Sequence, residues 1–272
     1  MNIDLRHGDC LDVMKQIPDK SIDAIITDPP YGTTACNWDS IIPFNLMWQQ
    51  LNRIIKFDGA IVLFGSEPFS SNLRMSNINN YKEDIVWLKN KSSNGFQIEQ
   101  KHLKVHENIM VFANQTKYKF NPQKWLVQEK EFLTQRKTLK EFECGNNVYG
   151  SAKRVRKLDD GTRNPISIIT ASVPITMAKN KTYSSDIDVN YHPTQKPLAI
   201  MEYLVKSFTN ENDTVLDFTM GSCSTGIACM NTNRNFIGIE LDENYFNISK
   251  KRVEEKRKEK DFNLITSFGD GM

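Results

Sequence analysis

No apolar run in this sequence approaches the roughly 18 residues expected of a membrane-spanning helix, so no transmembrane segment is expected. Cysteine is sparse. The five cysteines are an odd number, scattered, with no Cys-x-x-Cys pair and no histidine at zinc-ligand spacing, so reduced thiols are expected rather than a disulfide framework or a structural zinc site. His102 and His106 would share one face of a helix, but residues 107–112 read as a strand, where that spacing does not converge; no metal site is expected. The first six residues run straight into a strand-like segment without a basic-then-apolar leader, which predicts a cytoplasmic protein. Two signatures are also missing: the Gly-x-Gly-x-x-Gly of a dinucleotide site, and the His-x-Glu with Pro-Cys-x-x-Cys of a zinc deaminase.

Charge is present but unevenly placed. The net formal charge of the 272 residues is only +2, yet residues 117–181 carry +8 and the remainder −6. One basic segment on a mildly acidic protein is the asymmetry expected where part of a chain meets a polyanion, although a solvated loop would look the same.

A chain of this length buries a full core as one large domain or as one domain carrying an insertion. Residues 3–7 alternate like a strand, residues 11–17 have apolar residues at helical spacing before Pro18-Asp19, and residues 22–27 form a short apolar strand. A helix over 46–55, a turn at Asp58-Gly59 and a strand over 60–64 follow. From about residue 116 the periodicity fades into a segment rich in Lys, Arg, Asn, Ser and Thr. The pattern then resumes with a helix at 197–208, a strand at 214–217, a glycine-containing loop, a helix at 225–230, a strand at 235–240 and a charged helix from 244 to about 260. Strands alternating with helices predict a mostly parallel α/β sheet. Its two pieces, 1–115 and 188–272, are separated by a basic insertion, 116–187.

Two constellations carry chemistry. Asp28-Pro29-Pro30-Tyr31 follows an apolar strand, and in open α/β sheets ligands bind beyond the carboxyl ends of strands. Successive prolines remove two backbone donors and fix φ, leaving rigid carbonyls that no local N–H claims. That suits a site needing acceptors, although an ordinary strand-ending turn would read alike. The second constellation, residues 215–226, combines a strand, a loop with Gly221 and the start of a helix. Glu240 ends the following strand, near the spacing of an acidic residue that holds a ribose. Structural glycines alone would also explain that loop.

Three segments in this order, residues 27–32, His192 to Pro197 and the loop through Glu240, resemble the S-adenosylmethionine-dependent amino-methyltransferases of DNA, in the arrangement where Asp-Pro-Pro-Tyr precedes the cofactor loop. The resemblance implies a Rossmann-like methyltransferase sheet with helices on both faces, and covers most of the chain outside the insertion. It implies that Asp28, Pro29, Pro30 and Tyr31 are catalytic. The Asp28 carboxylate and the Pro29 carbonyl would accept the hydrogens of an exocyclic amino group, so that its lone pair can meet an electrophilic methyl. Tyr31 would stack on an extruded base.

For the cofactor the resemblance implies Asp217, Thr219, Gly221 and Ser222 beside the methionine and sulfonium, Glu240 on the ribose, Asp9 and Cys10 at the adenine moiety, and Thr194 and Lys196 from the other side, with Asp28 adjoining. The insertion would read double-stranded DNA, with Lys153, Arg154, Arg156, Lys157 and Arg163 meeting it. Where the family has glycine this chain has Cys223, and an ordinary backbone conformation is expected there, with the thiol packed on the following helix. Adenine N6 is the preferred target. Cytosine N4, RNA, a protein amide and a non-catalytic nucleic-acid binder are the alternatives. Whether the enzyme is a monomer or a homodimer, and whether a restriction nuclease accompanies it, stay open.

Overall fold

A computed structural model of the chain describes residues 1–33, 39–93, 95, 98–126, 162–173 and 195–269. Ten strands and six helices are described. In chain order they are β1 Ile3–His7, α1 Cys10–Met14, β2 Ile22–Thr27, α2 Phe44–Ile54, β3 Ile55–Gly65, α3 Phe69–Ser76, β4 Tyr81–Leu88, β5 His106–Phe112, β6 Trp125–Leu126, β7 Thr162–Arg163, β8 Ile168–Thr170, α4 Leu198–Phe208, β9 Thr214–Asp217, α5 Ser224–Asn231, β10 Asn235–Glu240 and α6 Glu243–Gly269.

Eight strands form one sheet in the order β1-β10-β9-β2-β3-β5-β4-β8. The first five of these are mutually parallel, β5 runs antiparallel between β3 and β4, and β8 adds to β4 in parallel. Every residue of β2 is buried; from Ala24 on its period of two divides it between two cores, and the register shift between Ile22 and Ala24 puts Ile22 with Ile25. Ala24 and Ile26, with Ala60, Val62 and Phe64 of β3, pack on α4 and α5; Ile22 and Ile25, with Ile61 and Leu63, pack on α1, α2 and α3. Helices therefore cover both faces, the Rossmann-like arrangement expected from sequence. α2 shows how the pattern produces this packing. Met47, Trp48, Leu51 and Ile54 recur on one helical face and are buried, each contributing about 1.5–3 kcal/mol.

The expected turn at Asp58-Gly59 is instead a bulge within β3. Asp23 alone faces residues 56–59, held by Lys56 and Lys119 at 2.8 and 3.1 Å. Gly59 permits this close approach, because a Cβ there would lie 2.7 Å from the Asp23 carbonyl.

Contacts divide the chain into two compact units: 1–121 with 167–272, and 122–166. The second unit contains β6 paired antiparallel with β7, Trp125 opposite Arg163. Residues 116–121 and 167–173, which the sequence reading assigns to the insertion, belong to the first unit, with β8 at the sheet edge. Cys10, Cys223 and Cys229 are unpaired and buried. No helix among the described residues is long and apolar enough to cross a membrane.

Candidate active site

The sheet order reverses between β2 and β9: the chain steps outward through β3 on one side and through β10 on the other. Beyond the carboxyl ends of those neighbours lies the crevice in which open α/β sheets bind ligands. Thr27 closes β2 and Asp217 closes β9, and the Thr27 hydroxyl donates to Asp217 Oδ1 at 2.5 Å. Thr225 donates to Oδ2 at 2.5 Å and the Thr219 amide to Oδ1 at 3.2 Å. Thr219 also donates from its hydroxyl to the Asp28 carbonyl at 3.0 Å, tying the two strand ends together.

Burial pushes the Asp217 carboxyl up to about 6 against these stabilising hydrogen bonds. A folded value raised above the ordinary 3.8 favours the protonated fold. That contribution is complete below 3.8 and is lost as pH rises through about 6. Between pH 5 and 8 the protein should therefore lose about 1 kcal/mol relative to Asp217→Asn, which does not titrate. Paired denaturant unfolding curves at the two pH values measure the difference, and parallel behaviour of the two proteins would contradict it.

After Thr27 the chain turns through Asp28, Pro29, Pro30 and Tyr31. Asp39 fixes this turn by accepting from the amides of Tyr31, Gly32 and Thr33, each at 2.8 Å. Asp28 is clamped by its own loop and by a distant lysine: the Tyr31 hydroxyl donates to Oδ1, and Lys196 donates to Oδ2 at 2.5 Å. The Tyr31 ring packs 5.0 Å from that of Phe69. Lys196 also lies 3.3 Å from Glu107, whose other oxygen meets Lys89 at 2.5 Å. Asp28, Lys196, Glu107 and Lys89 thus form a row of alternating charge, with the last three nearly buried. Burial, reinforced by the Glu107 charge, raises the Asp28 carboxyl despite Lys196. Burial opposes the charge of Lys196, but Asp28 and Glu107 together hold it above its usual range, so it stays an ammonium.

On the other strand, Gly221 takes φ 51° and its amide donates to Glu240 Oε2 at 2.8 Å; the Asp242 amide holds Oε1 at 2.8 Å. Burial raises the Glu240 carboxyl, and these two amides oppose the rise. Ser222 donates to Gln195 at 3.1 Å, and Arg252 holds its carbonyl at 2.5 Å. Asp9 caps α1, accepting at Oδ1 from the Leu11 and Asp12 amides at 2.8 and 3.4 Å. The neighbouring Cys10 thiol is pushed up to about 12 by burial.

Cys223 corrects the expectation of an ordinary backbone: it sits at φ 67°, ψ 36°, the left-handed region, as the residue before α5. Its thiol does pack on that helix, filling the space a Cβ on Gly226 would need, 2.3 Å from Sγ. Left-handed backbone strains any non-glycine residue, and here it is retained because the loop must reach both Glu240 and α5. Cys223→Gly should consequently be more stable than Cys223→Ala by about 1 kcal/mol, since alanine keeps the strain without the sulfur. Chemical denaturation ranks the pair, and the opposite order would contradict the strain.

Asp9, Cys10, Asp28, Pro29, Pro30, Tyr31, Lys196, Asp217, Thr219, Gly221, Ser222 and Glu240 all line one cavity of about 750 Å³. Thr194, Lys153, Arg154, Arg156 and Lys157 lie outside the described residues. Arg163 is half-buried on β7 of the second unit, where its Nη1 donates to the Thr162 carbonyl at 2.9 Å. Sequence reasoning missed Glu107, Lys89, Asp39 and Ser224. Glu107 opens a strand-like run, a position that reads as structural, and only the pairing of β5 with β4 brings it to Lys89.

Residues 22–251 match the family model described as DNA methylase. The chain belongs to the DNA methylase family. Methylases of this family depend on S-adenosylmethionine, and this chain is accordingly an S-adenosylmethionine-dependent DNA methyltransferase. It is 28% identical to the DNA adenine methyltransferase YhdJ of Escherichia coli (strain K12), over 91% of this chain and 81% of that protein. It is 26% identical to the type II methyltransferase M.HpaI of Haemophilus parainfluenzae, over 97% of this chain and 77% of that one. The crystal structure of an M1.HpyAVI–SAM complex superposes with a TM-score of 0.57 at 28% identity, covering 92% of this chain and 99% of that one. The cytosine-N4-specific PvuII DNA methyltransferase shares the fold, with a TM-score of 0.62 at 15% identity over 92% of this chain and 86% of its own.

Proposed function

We propose that this methylase transfers the methyl group of S-adenosylmethionine to the N6 amino group of adenine at a specific sequence in double-stranded DNA. The observation that carries the reading is a cavity lined together by Asp28, just past the end of β2, by the loop after β9 and by Glu240 at the end of β10. Adenine is favoured by Asp at the head of the tetrapeptide and by likeness to a relative named for adenine.

The cavity fits such a cofactor on two grounds. Gly221 turns a backbone of positive φ along the wall, and the Ser224 hydroxyl there is buried without a hydrogen-bond partner among the described residues. Glu240 would accept the ribose hydroxyls through lone pairs its two amide partners leave free, Asp9 and Cys10 would meet the adenine moiety, and Gly221, Ser222, Thr219 and Lys196 would line the methionine end. Asp217, whose oxygens already accept three hydrogen bonds, acts by holding the loop's shape. The cofactor supplies an electrophilic methyl.

Asp28 accepts a hydrogen of the target amino group, and the Pro29 carbonyl accepts the other. The nitrogen lone pair is then no longer spread into the ring and points toward the methyl. The Asp39 grip on the Tyr31, Gly32 and Thr33 amides keeps these acceptors from turning away. Tyr31 offers its ring to stack on the extruded base and its hydroxyl to Asp28. The insertion, 116–187, reads the sequence, with Lys153, Arg154, Arg156, Lys157 and Arg163 on the DNA, in a protein of the cytoplasm. Incubation with methyl-labelled cofactor tests the substrate class. Label should enter duplex DNA, and label found instead in RNA or in protein would refute the reading.

A further inference from the structure

Lys196 stands between two carboxylates that differ in one respect. Its ammonium is hydrogen-bonded to Asp28 Oδ2 at 2.5 Å and lies 3.3 Å from Glu107 Oε2, an oxygen that is buried yet has no hydrogen-bond partner among the described residues. That oxygen is paired with the Lys196 charge but makes no well-directed hydrogen bond, so it is incompletely satisfied. Glu107 is itself held in place from the other side by Lys89, at 2.5 Å, whose ammonium lies 5.2 Å from the centre of the Trp87 ring.

Each oxygen of Asp28 already accepts one hydrogen bond, Oδ1 from the Tyr31 hydroxyl and Oδ2 from Lys196. A target amino group must share the carboxylate with these donors, and its strongest competitor is the ammonium. Lys196, whose side chain is 7% exposed, cannot be released into water, and a buried ammonium needs an anion. We propose that Glu107 is a positioning residue that provides a second seat for Lys196, which the ammonium takes when the target amino group replaces it on Asp28. This rests on the reading of Asp28 given above. No bond is made or broken in the exchange: Lys196 keeps its protons, and the row keeps its net charge while the acceptor is uncovered only as the substrate arrives. The Glu107 oxygen, ion-paired with Lys196 but without a hydrogen-bond partner among the described residues, is what the exchange requires.

The charged and titratable groups facing this row are Asp28 and Tyr31 after β2, Lys89 after β4, Glu107 on β5 with Lys104 just before it, Lys196 before α4 and Asp217 on β9. The test is the pH profile of kcat/KM for DNA in two variants, because the acid limb reports the free enzyme's essential carboxylate. Glu107→Gln removes an anion beside Asp28 and abolishes the second seat. Its acid limb should move to lower pH, and its plateau should fall by about tenfold or more. Lys89→Met leaves Glu107 dependent on Lys196 alone and draws the ammonium from Asp28, so its acid limb should move to higher pH.

Opposite displacements together with the lowered plateau of Glu107→Gln support the exchange; limbs that stay put or move together, or a plateau that does not fall, overturn it. Should Glu107→Gln fail to fold, judged by thermal unfolding, the limb of Lys89→Met decides alone, and an unmoved or lowered limb overturns the proposal. Asp28→Asn separates the two failures. Turnover in that variant would overturn the reading of Asp28 and the exchange with it, whereas an inactive Asp28→Asn beside unmoved limbs would overturn the exchange alone.

Discussion

Asp28→Asn should lower methyl transfer to DNA by about 10²- to 10³-fold, the loss expected when a preorganised partner of the reacting group is removed. The substitution keeps the shape of the loop and an oxygen for Tyr31 or Lys196, while Lys196 retains Glu107 as an anion within 3.3 Å. What disappears is the charged acceptor. An amide oxygen draws less on an amino hydrogen, and the amide's own N–H₂ competes for the remaining acceptors. Affinity for S-adenosylmethionine should change by only a small factor, because Glu240, Gly221 and Asp9 lie on the other strand ends. Single-turnover methylation together with calorimetric titration separates rate from binding. Turnover close to that of the unaltered enzyme would remove Asp28 from the mechanism.

A second large effect is expected on DNA binding. Residues 117–181 concentrate the chain's positive charge, at +8, in a protein otherwise at −6. Neutralising Lys153, Arg154, Arg156 and Lys157 together should weaken duplex binding and flatten its salt dependence. Each lost phosphate contact lowers the slope of log K against log salt by about 0.9, hence about 3.6 if all four contact phosphates. A residue among them that reads a base edge would also alter sequence preference. An unchanged slope would show the run to be a solvated loop, and the insertion would then need another means of meeting DNA.

The sequence made one side of this site legible and hid the other. β2, β9 and β10 are short apolar runs; that they are strands, and that Asp28, Asp217 and Glu240 stand at or just past their carboxyl ends, could be read locally. β4 was not readable, because Glu83 and Asp84 interrupt its alternation where it is only half-buried. Glu107, Lys89 and Asp39 were invisible for a different reason: their roles come from tertiary contacts. Lys196 reaches Asp28 across 168 positions of sequence, and Glu107 joins them through the antiparallel pairing of β5 with β3 and β4. At Cys223 the sequence showed the departure from glycine but not which backbone the loop would impose, and the loop's need to meet Glu240 and α5 together prevailed over the residue's own preference.

Identifying the methylated base tests the central claim most directly. Duplex DNA methylated with labelled S-adenosylmethionine is digested to nucleosides and the labelled nucleoside is separated by chromatography and mass. The account predicts label in N6-methyldeoxyadenosine at one sequence context; label in N4-methyldeoxycytidine, or in no nucleoside at all, would contradict it.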